Sequence, residues 1–197
     1  ESDINFIVNK QGDIRFGLSA LKGIGEGPVE AILEERQING PFADVIDLVK
    51  RLNLRAVNKK CFESLALGGA FDSFAGIHRA QYFAPSDKYD SYLEHLIRYG
   101  SNYQQGQEMT QASLFSHEEV FSMPDPEPPR ANEWSLLETL NKEKEVTGIF
   151  ISGHPLDDYR LVVDNFTTCT LDKLDYFKGQ TVKLAAFVTS ADHRISK

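Results

Sequence analysis

Apolar side chains recur at helical spacing through the first half of the chain. Predicted helices of this kind cover residues 28–37, 44–52, 58–67, 77–83 and 88–99. In the first of them, Val29, Ile32 and Leu33 form one apolar stripe, while acidic residues occupy the opposite face. Two β-prone runs, residues 5–8 and 14–16, flank a glycine-containing turn and predict a β-hairpin before this helix. The pattern therefore predicts a mainly α-helical fold.

The pattern changes after the fifth predicted helix. Residues 105–133 are rich in Gln, Ser, Glu and Pro, a composition that buries too little apolar surface to order itself. We expect a flexible linker there. Order returns with a helical connector over residues 134–177, which begins at the capping-box residue Ser135. Residues 178–197 contain a predicted β-strand at 181–189.

Three glycines alternate through the turn before the first helix. Gly23, Gly25 and Gly27 permit a tight turn and leave backbone N–H groups unshielded at the helix N-terminus, where the helix dipole favours an anion. A second unit with the same outline follows, so residues 17–75 are predicted to form a tandem helix-hairpin-helix domain, with residues 76–104 as a helical extension. We interpret the glycine turn as a site for a nucleic-acid phosphate; a plain helix–helix corner is the alternative.

A run of cations without an acid surrounds the turn of the second unit. It comprises Lys50, Arg51, Arg55, Lys59 and Lys60. Because the chain carries a net charge of −8, any contact with nucleic acid must come from a local patch rather than from overall charge. The run is therefore interpreted as a phosphate-contacting surface, with a solvated helix face as the alternative.

The composition gives no indication of catalysis or of a membrane span. Cys61 and Cys169 stand far apart, and the five histidines show no metal-ligand spacing, so neither a disulfide framework nor a metal site is predicted. No apolar run approaches membrane-spanning length. We expect a cytoplasmic protein with no catalytic residue or cofactor of its own.

One apolar island interrupts the predicted linker. Gln111, followed by Leu114 and Phe115, is typical of a docking motif that becomes ordered in the apolar groove of a partner. On these residues alone, a chance apolar pair is the preferred interpretation.

Three blocks of sequence occur in a defined order along the chain. They are Gly-Leu-Ser-Ala-Leu-Lys-Gly-Ile-Gly-Glu-Gly-Pro at 17–28, Leu-Gly-Gly-Ala-Phe-Asp at 67–72 and Thr-Gly-Ile-Phe-Ile-Ser-Gly-His-Pro-Leu at 147–156. In order and spacing they resemble the C family of bacterial replicative DNA polymerases, the DNA polymerase III alpha subunits. The resemblance covers most of the chain. It implies an excised segment in which residues 1–16 end the fingers region and residues 178–197 begin a truncated OB fold.

The resemblance also implies a function: a non-catalytic segment that grips the backbone of double-stranded DNA without sequence specificity and tethers the polymerase to the sliding clamp. The implied DNA-binding residues are Lys22, Gly23, Ile24, Gly25 and Gly27, which hold one phosphate, and Arg55, Lys59 and Lys60, which hold the other strand. The implied clamp-binding residues are Gln111, Ser113, Leu114 and Phe115. The family's catalytic aspartates and their Mg²⁺ lie in another domain, so the segment alone is expected to be inactive. Other replicase subunits are further expected partners.

Two alternatives come from other functional classes. A base-excision repair glycosylase also carries a helical hairpin, but the Gly-Pro-Phe at residues 40–42 comes too soon after it and lacks the catalytic acid of such an enzyme. A purely structural spacer is compatible with the acidic net charge. Duplex binding that weakens with salt separates our prediction from a spacer.

Overall fold

A computed structural model of the chain describes the backbone of residues 2–112 and 123–194, and the side chains of those residues except 108–112. The chain divides into two compact units, Glu1–Ile149 and Phe150–Lys197. Helices dominate the described residues, which confirms the predicted fold class. None of the helices described is long and apolar enough to cross a membrane.

The first unit begins with the predicted β-hairpin and continues as helices. Strands β1 (Ile7–Val8) and β2 (Ile14–Arg15) pair antiparallel, and a 3-10 turn (Leu18–Ala20) follows. The helices are α1 (Glu26–Asn39), α2 (Val45–Arg51), α3 (Lys59–Leu67), α4 (Arg79–Phe83), α5 (Tyr92–Ala112) and α6 (Leu136–Thr147).

Local capping explains where three of these helices begin. The side chains of Asp44, Asn58 and Ser135 each accept a hydrogen bond from a backbone N–H in the first turn of α2, α3 and α6. Helix α1 differs, because its N-cap is Gly25 and no side chain caps it. The backbone N–H groups at the start of α1 therefore have no side-chain acceptor.

The core of the first unit forms where α5 packs against α2 and α3. A Cβ on Gly100 of α5 would lie only 2.4 Å from the carbonyl oxygen of Val49 in α2, so the two backbones touch. Farther along α5, the Gln104 Nε2 group donates to the carbonyls of Val49 and Leu52 at 3.1 and 2.8 Å. Those carbonyls at the end of α2 have no helical partner, and the side-chain amide of Gln104 satisfies them.

The predicted linker is not a free chain where the structure describes it. Helix α5 continues through Ala112, and residues 123–134, here called the strap, have no regular secondary structure but bind to helices of the same unit. The Tyr92 hydroxyl donates to the carbonyl of Pro126 at 2.7 Å, and the Gln81 side chain donates to the carbonyl of Pro129 at 2.9 Å. Polar and proline-rich composition predicted a flexible linker here, but side chains from α4 and α5 hydrogen-bond to backbone carbonyls of the strap.

The second unit contains a 3-10 turn (Asp157–Tyr159), α7 (Arg160–Phe166) and a longer 3-10 segment (Leu171–Phe177). The predicted strand at 181–189 is not formed. A strand requires a continuous backbone ladder, whereas this segment is joined to Thr168 through Lys183 alone, with Thr168 N–H donating to the Lys183 carbonyl at 2.9 Å. Residues 181–189 therefore belong to no sheet of the described residues, and the expected start of an OB fold stays a prediction.

Candidate nucleic-acid interface

The turn between the 3-10 turn and α1 contains the alternating glycines. Gly23 has φ of +88°, a conformation that only glycine adopts without strain, so this position requires glycine. Gly25 has φ of −85° and ψ of 172°, the extended conformation usual for an N-cap. Gly27 lies in the first turn of α1, where a Cβ would meet no atom within 4 Å. The backbone of this segment therefore turns sharply after the 3-10 turn and begins α1.

The start of α1 presents free hydrogen-bond donors. The N–H groups of Glu26 and Gly27 come before any helical acceptor, and no side chain caps them. Pro28 has no N–H of its own. These donors coincide with the positive end of the helix dipole, an arrangement that suits a phosphate oxygen. The carboxylate of Glu26, in the same turn, is the local charge that opposes an anion.

The glycine turn is held in place by α3 and α6. Ser64 of α3 donates its hydroxyl to the carbonyl of Lys22 at 2.9 Å, and the Cys61 thiol lies 3.9 Å from the carbonyl of Gly23. The Lys22 N–H donates to the carbonyl of Val146 in α6 at 2.7 Å. The sequence interpretation missed Ser64, although a serine on the otherwise apolar face of α3 was a signal that the face contacts backbone.

The two hairpins differ in what their helix ends offer. In the second hairpin the side chain of Asn58 accepts from the N–H of Cys61 at 3.1 Å, so the start of α3 already has an acceptor in place. The start of α1 is preceded by Gly25, which has no side chain, so no side-chain acceptor caps it. The sequence outline of the two units is similar, but an uncapped helix start occurs only in the first of the two.

The predicted basic run separates into two groups. Lys50 pairs with Asp125 at 2.9 Å, Arg51 pairs with Glu35 and Asp47, and Lys59 pairs with Glu94 at 2.8 Å. These three cations are therefore engaged in ion pairs within the first unit. Arg55 and Lys60 are exposed, as is Lys22 of the glycine turn, and no ion pair within the described residues involves any of the three.

Lys59 and Lys60 are adjacent in sequence but have different surroundings. The hydrogen bond that Lys59 donates to Glu94 raises the pKa of Lys59 above its ordinary value, and the charges of Glu63 and Asp90 raise it further. The stem of Lys60 lies instead against the glycine turn: a Cβ on Gly23 would be 3.2 Å from Cε of Lys60. The structure thus brings Lys60 to the first hairpin, although the sequence interpretation assigned it to the second.

Other predicted residues have different positions. Ile24 is 8% exposed and belongs to the apolar core, and its N–H donates to the carbonyl of Leu21, so neither its side chain nor its amide is free. Of the predicted clamp motif, Gln111 lies in the last turn of α5. Ser113, Leu114 and Phe115 fall outside the described residues.

The chain matches proteins of known family along nearly its whole length. Residues 1–82 match the helix-hairpin-helix motif family. DNA polymerase III subunit alpha of Vibrio cholerae is 34% identical over 94% of this chain, and that of Haemophilus influenzae is 32% identical over 98%. The corresponding subunit of Pseudomonas fluorescens is 36% identical over 84% of the chain. The chain spans only 15–16% of the length of these relatives.

These matches agree with the geometry of the glycine turn, which lies within the matched residues 1–82. The chain is therefore similar, over almost all of its length, to one segment of the DNA polymerase III alpha subunits, and its first 82 residues match the helix-hairpin-helix motif family.

Proposed function

We propose that this segment binds the backbone of double-stranded DNA without sequence specificity, as a non-catalytic part of a replicative DNA polymerase. The observation that carries the proposal is the uncapped start of α1 at Gly25, within a chain homologous to DNA polymerase III subunit alpha. A phosphate oxygen accepts from the amides of Glu26 and Gly27, and Lys22 supplies charge beside them. Because the similar proteins are DNA polymerase subunits, we assign this phosphate to the backbone of DNA.

The chemistry of the proposed contact explains the expected lack of sequence specificity. Backbone amides and a lysine ammonium recognise a phosphate, which every nucleotide carries, and such contacts fix position without reading base edges. Affinity should therefore fall linearly on a logarithmic salt scale, with a slope near 0.9 for each phosphate contacted. The proposed contact uses only backbone amides and a lysine, so we expect duplex binding to be the same with and without a chelator.

The N-cap position permits a sharp test, because a side chain can be added there without disturbing the fold. A Cβ on Gly25 would meet only Cδ of Pro28, at 3.9 Å, and the backbone is already extended. Gly25→Asp adds a preferred cap that accepts from the free amide and repels phosphate. We expect equal or slightly higher thermal stability together with loss of duplex binding, measured by fluorescence anisotropy on a 20-base-pair duplex, an oligonucleotide size of about two helical turns.

Gly25→Asn is the matched variant, since it supplies the same cap without the charge. We expect it to weaken duplex binding less than Gly25→Asp does, because only the amide donors are lost. Gly106→Ala, on the open face of α5, tests the effect of a glycine replacement elsewhere and should leave binding unchanged. Unaltered duplex affinity in a folded Gly25→Asp variant would contradict the proposed contact.

We further propose that the segment tethers the polymerase to a sliding clamp through Gln111, Ser113, Leu114 and Phe115. The sequence motif and the homology to DNA polymerase III subunit alpha support this proposal. The Leu–Phe pair would fill an apolar groove on the clamp, as short motifs within polar segments do.

The clamp proposal is tested by replacing the two apolar side chains together. Leu114→Ala plus Phe115→Ala should abolish binding to the purified clamp in surface plasmon resonance, while duplex binding and helicity measured by circular dichroism stay the same. Phe121→Ala removes an aromatic residue from the same stretch outside the motif and should have no effect. Equal clamp affinity for the double variant and Phe121→Ala would argue against the assignment.

A further inference from the structure

We propose that Lys60, and not its neighbour Lys59, is the cation that the second helix-hairpin-helix unit contributes to the phosphate held by the first. The inference rests on the proposed duplex binding and deepens it. It also changes the arrangement expected from sequence, in which Arg55, Lys59 and Lys60 together contact the opposite strand. Lys60 then belongs to the phosphate site at the glycine turn rather than to a separate site on the opposite strand.

The position of the Lys60 stem is the first observation. A Cβ on Gly23 would lie 3.2 Å from Cε and 3.8 Å from Cδ of Lys60, so the last carbons before the ammonium rest on the glycine turn. The missing side chain at Gly23 creates the space they occupy. Nζ is one bond beyond Cε, so the positively charged ammonium group of Lys60 lies beside the turn that leads into α1.

The bracing of the turn by α3 is the second observation. Ser64, one helical turn after Lys60, donates to the Lys22 carbonyl at 2.9 Å, and the Cys61 thiol approaches the Gly23 carbonyl at 3.9 Å. Residues three and four positions apart lie on one helix face, so Lys60 and Ser64 share the face directed at the turn. The helix that carries Lys60 is therefore fixed against the hairpin that carries the free amides.

The contrast with Lys59 is the third observation. Its ammonium is 2.8 Å from the carboxylate of Glu94 in α5, and the charges of Glu63 and Asp90 further favour its charged form. Lys60 is exposed and forms no ion pair with any described residue. Lys59 is therefore paired with an acid of α5, whereas Lys60 has no ion-pair partner among the described residues and lies against the glycine turn. Of the two, Lys60 is the lysine available to a phosphate.

Two single-charge variants of the full 197-residue chain test this assignment. Lys60→Gln should weaken duplex binding about threefold to tenfold at low salt and reduce the salt slope by about one phosphate contact. Lys59→Gln should leave that slope unchanged, because its charge is already engaged. Lys60→Arg preserves the charge and should preserve the slope. Circular dichroism and thermal unfolding of each variant establish that the fold is retained.

The outcomes distinguish this inference from the proposed function. If the unaltered chain shows no salt-dependent duplex binding, the proposed function fails and the inference fails with it. If the unaltered chain binds duplex but Lys60→Gln has the same slope, the inference alone is overturned. Equal losses of slope for Lys59→Gln and Lys60→Gln also overturn it, since they would reflect net charge rather than a defined contact.

Discussion

Arg79 of α4 donates a hydrogen bond to the carboxylate of Glu143 in α6 at 3.3 Å, across 64 residues of sequence. Glu143 is 1% exposed, and the Arg79 guanidinium also pairs with Asp72 and donates to the carbonyl of Leu67 at 3.2 Å. The arginine thus joins the end of α3, the following loop, α4 and α6. Since α6 also supplies the Val146 carbonyl that holds Lys22, this ion pair supports the position of the glycine turn.

Removal of the buried carboxylate is predicted to destabilise the first unit. Glu143→Ala leaves the Arg79 guanidinium inside the protein with only part of its charge compensated, which typically costs about 3 kcal/mol. Urea denaturation should show that loss in the free energy of unfolding. Glu145→Ala, on the exposed side of the same helix, is the control and should change it by less than about 0.5 kcal/mol. Equal effects of the two variants would contradict a structural role for the pair.

Two glycines of α5 are predicted to respond in opposite directions to the same substitution. A Cβ on Gly100 would lie 2.4 Å from the Val49 carbonyl, and helix backbones cannot move apart without loss of packing, so Gly100→Ala should destabilise by about 1–3 kcal/mol. At Gly106 a Cβ would meet nothing within 4 Å. Gly106→Ala should therefore stabilise the helix by about 0.5–1 kcal/mol. Thermal unfolding of both variants checks the prediction, and an unchanged or higher stability of Gly100→Ala would refute the close contact of α2 with α5.

The clasp between Asp125 of the strap and the side chains of Tyr99 and Lys50 predicts a pH dependence. Hydrogen bonds from Tyr99 and Lys50 lower the pKa of the Asp125 carboxyl below its ordinary value of 3.8. The clasp's contribution to stability is therefore fully present above about pH 4 and is lost as the pH falls through the lowered pKa of the folded protein. The carboxylate is 58% exposed, so the effect should be small.

The check is the urea midpoint of the unaltered chain and of Asp125→Asn between pH 2 and 6, a range chosen to bracket an aspartate pKa near 4. The urea midpoint of the unaltered chain minus that of Asp125→Asn should be constant in the upper half of this pH range and should shrink in the lower half. Glu127→Gln, which removes one negative charge from an exposed position of the same strap, is the control for the change in net charge. A constant difference at every pH would mean that ionisation of Asp125 does not hold the strap.

Two arginines of the basic run are predicted to act in different ways. Arg51 pairs with Glu35 and Asp47 and donates to the carbonyl of Gly40 at 2.8 Å, so Arg51→Gln should lower stability by about 1–3 kcal/mol. Arg55 is exposed in the connector before α3, and Arg55→Gln should leave stability unchanged. Any loss caused by Arg55→Gln should appear in duplex affinity. Thermal unfolding and anisotropy on the same two samples separate the effects, and destabilisation by Arg55→Gln would refute this division.

Local sequence was sufficient to locate most of the helices. Apolar periodicity and a capping side chain act within a few residues, so Asn58 and Ser135 marked the starts of α3 and α6 correctly. The glycine turn could be found for the same reason, since backbone freedom is a property of Gly23 itself. The missing strand at 181–189 had no such local basis, because a strand depends on a partner that the segment's own residues do not provide.

The amino-acid sequence by itself located most of the helices, the glycine turn and the cations near the second turn. The tertiary structure alone decided which of those cations are free. Lys50 and Lys59 are engaged by acids distant in sequence, Asp125 and Glu94, while Lys60 reaches back to the first hairpin. Charge pairing depends on separation in space rather than along the chain, so no pattern of neighbouring residues could have distinguished Lys59 from Lys60.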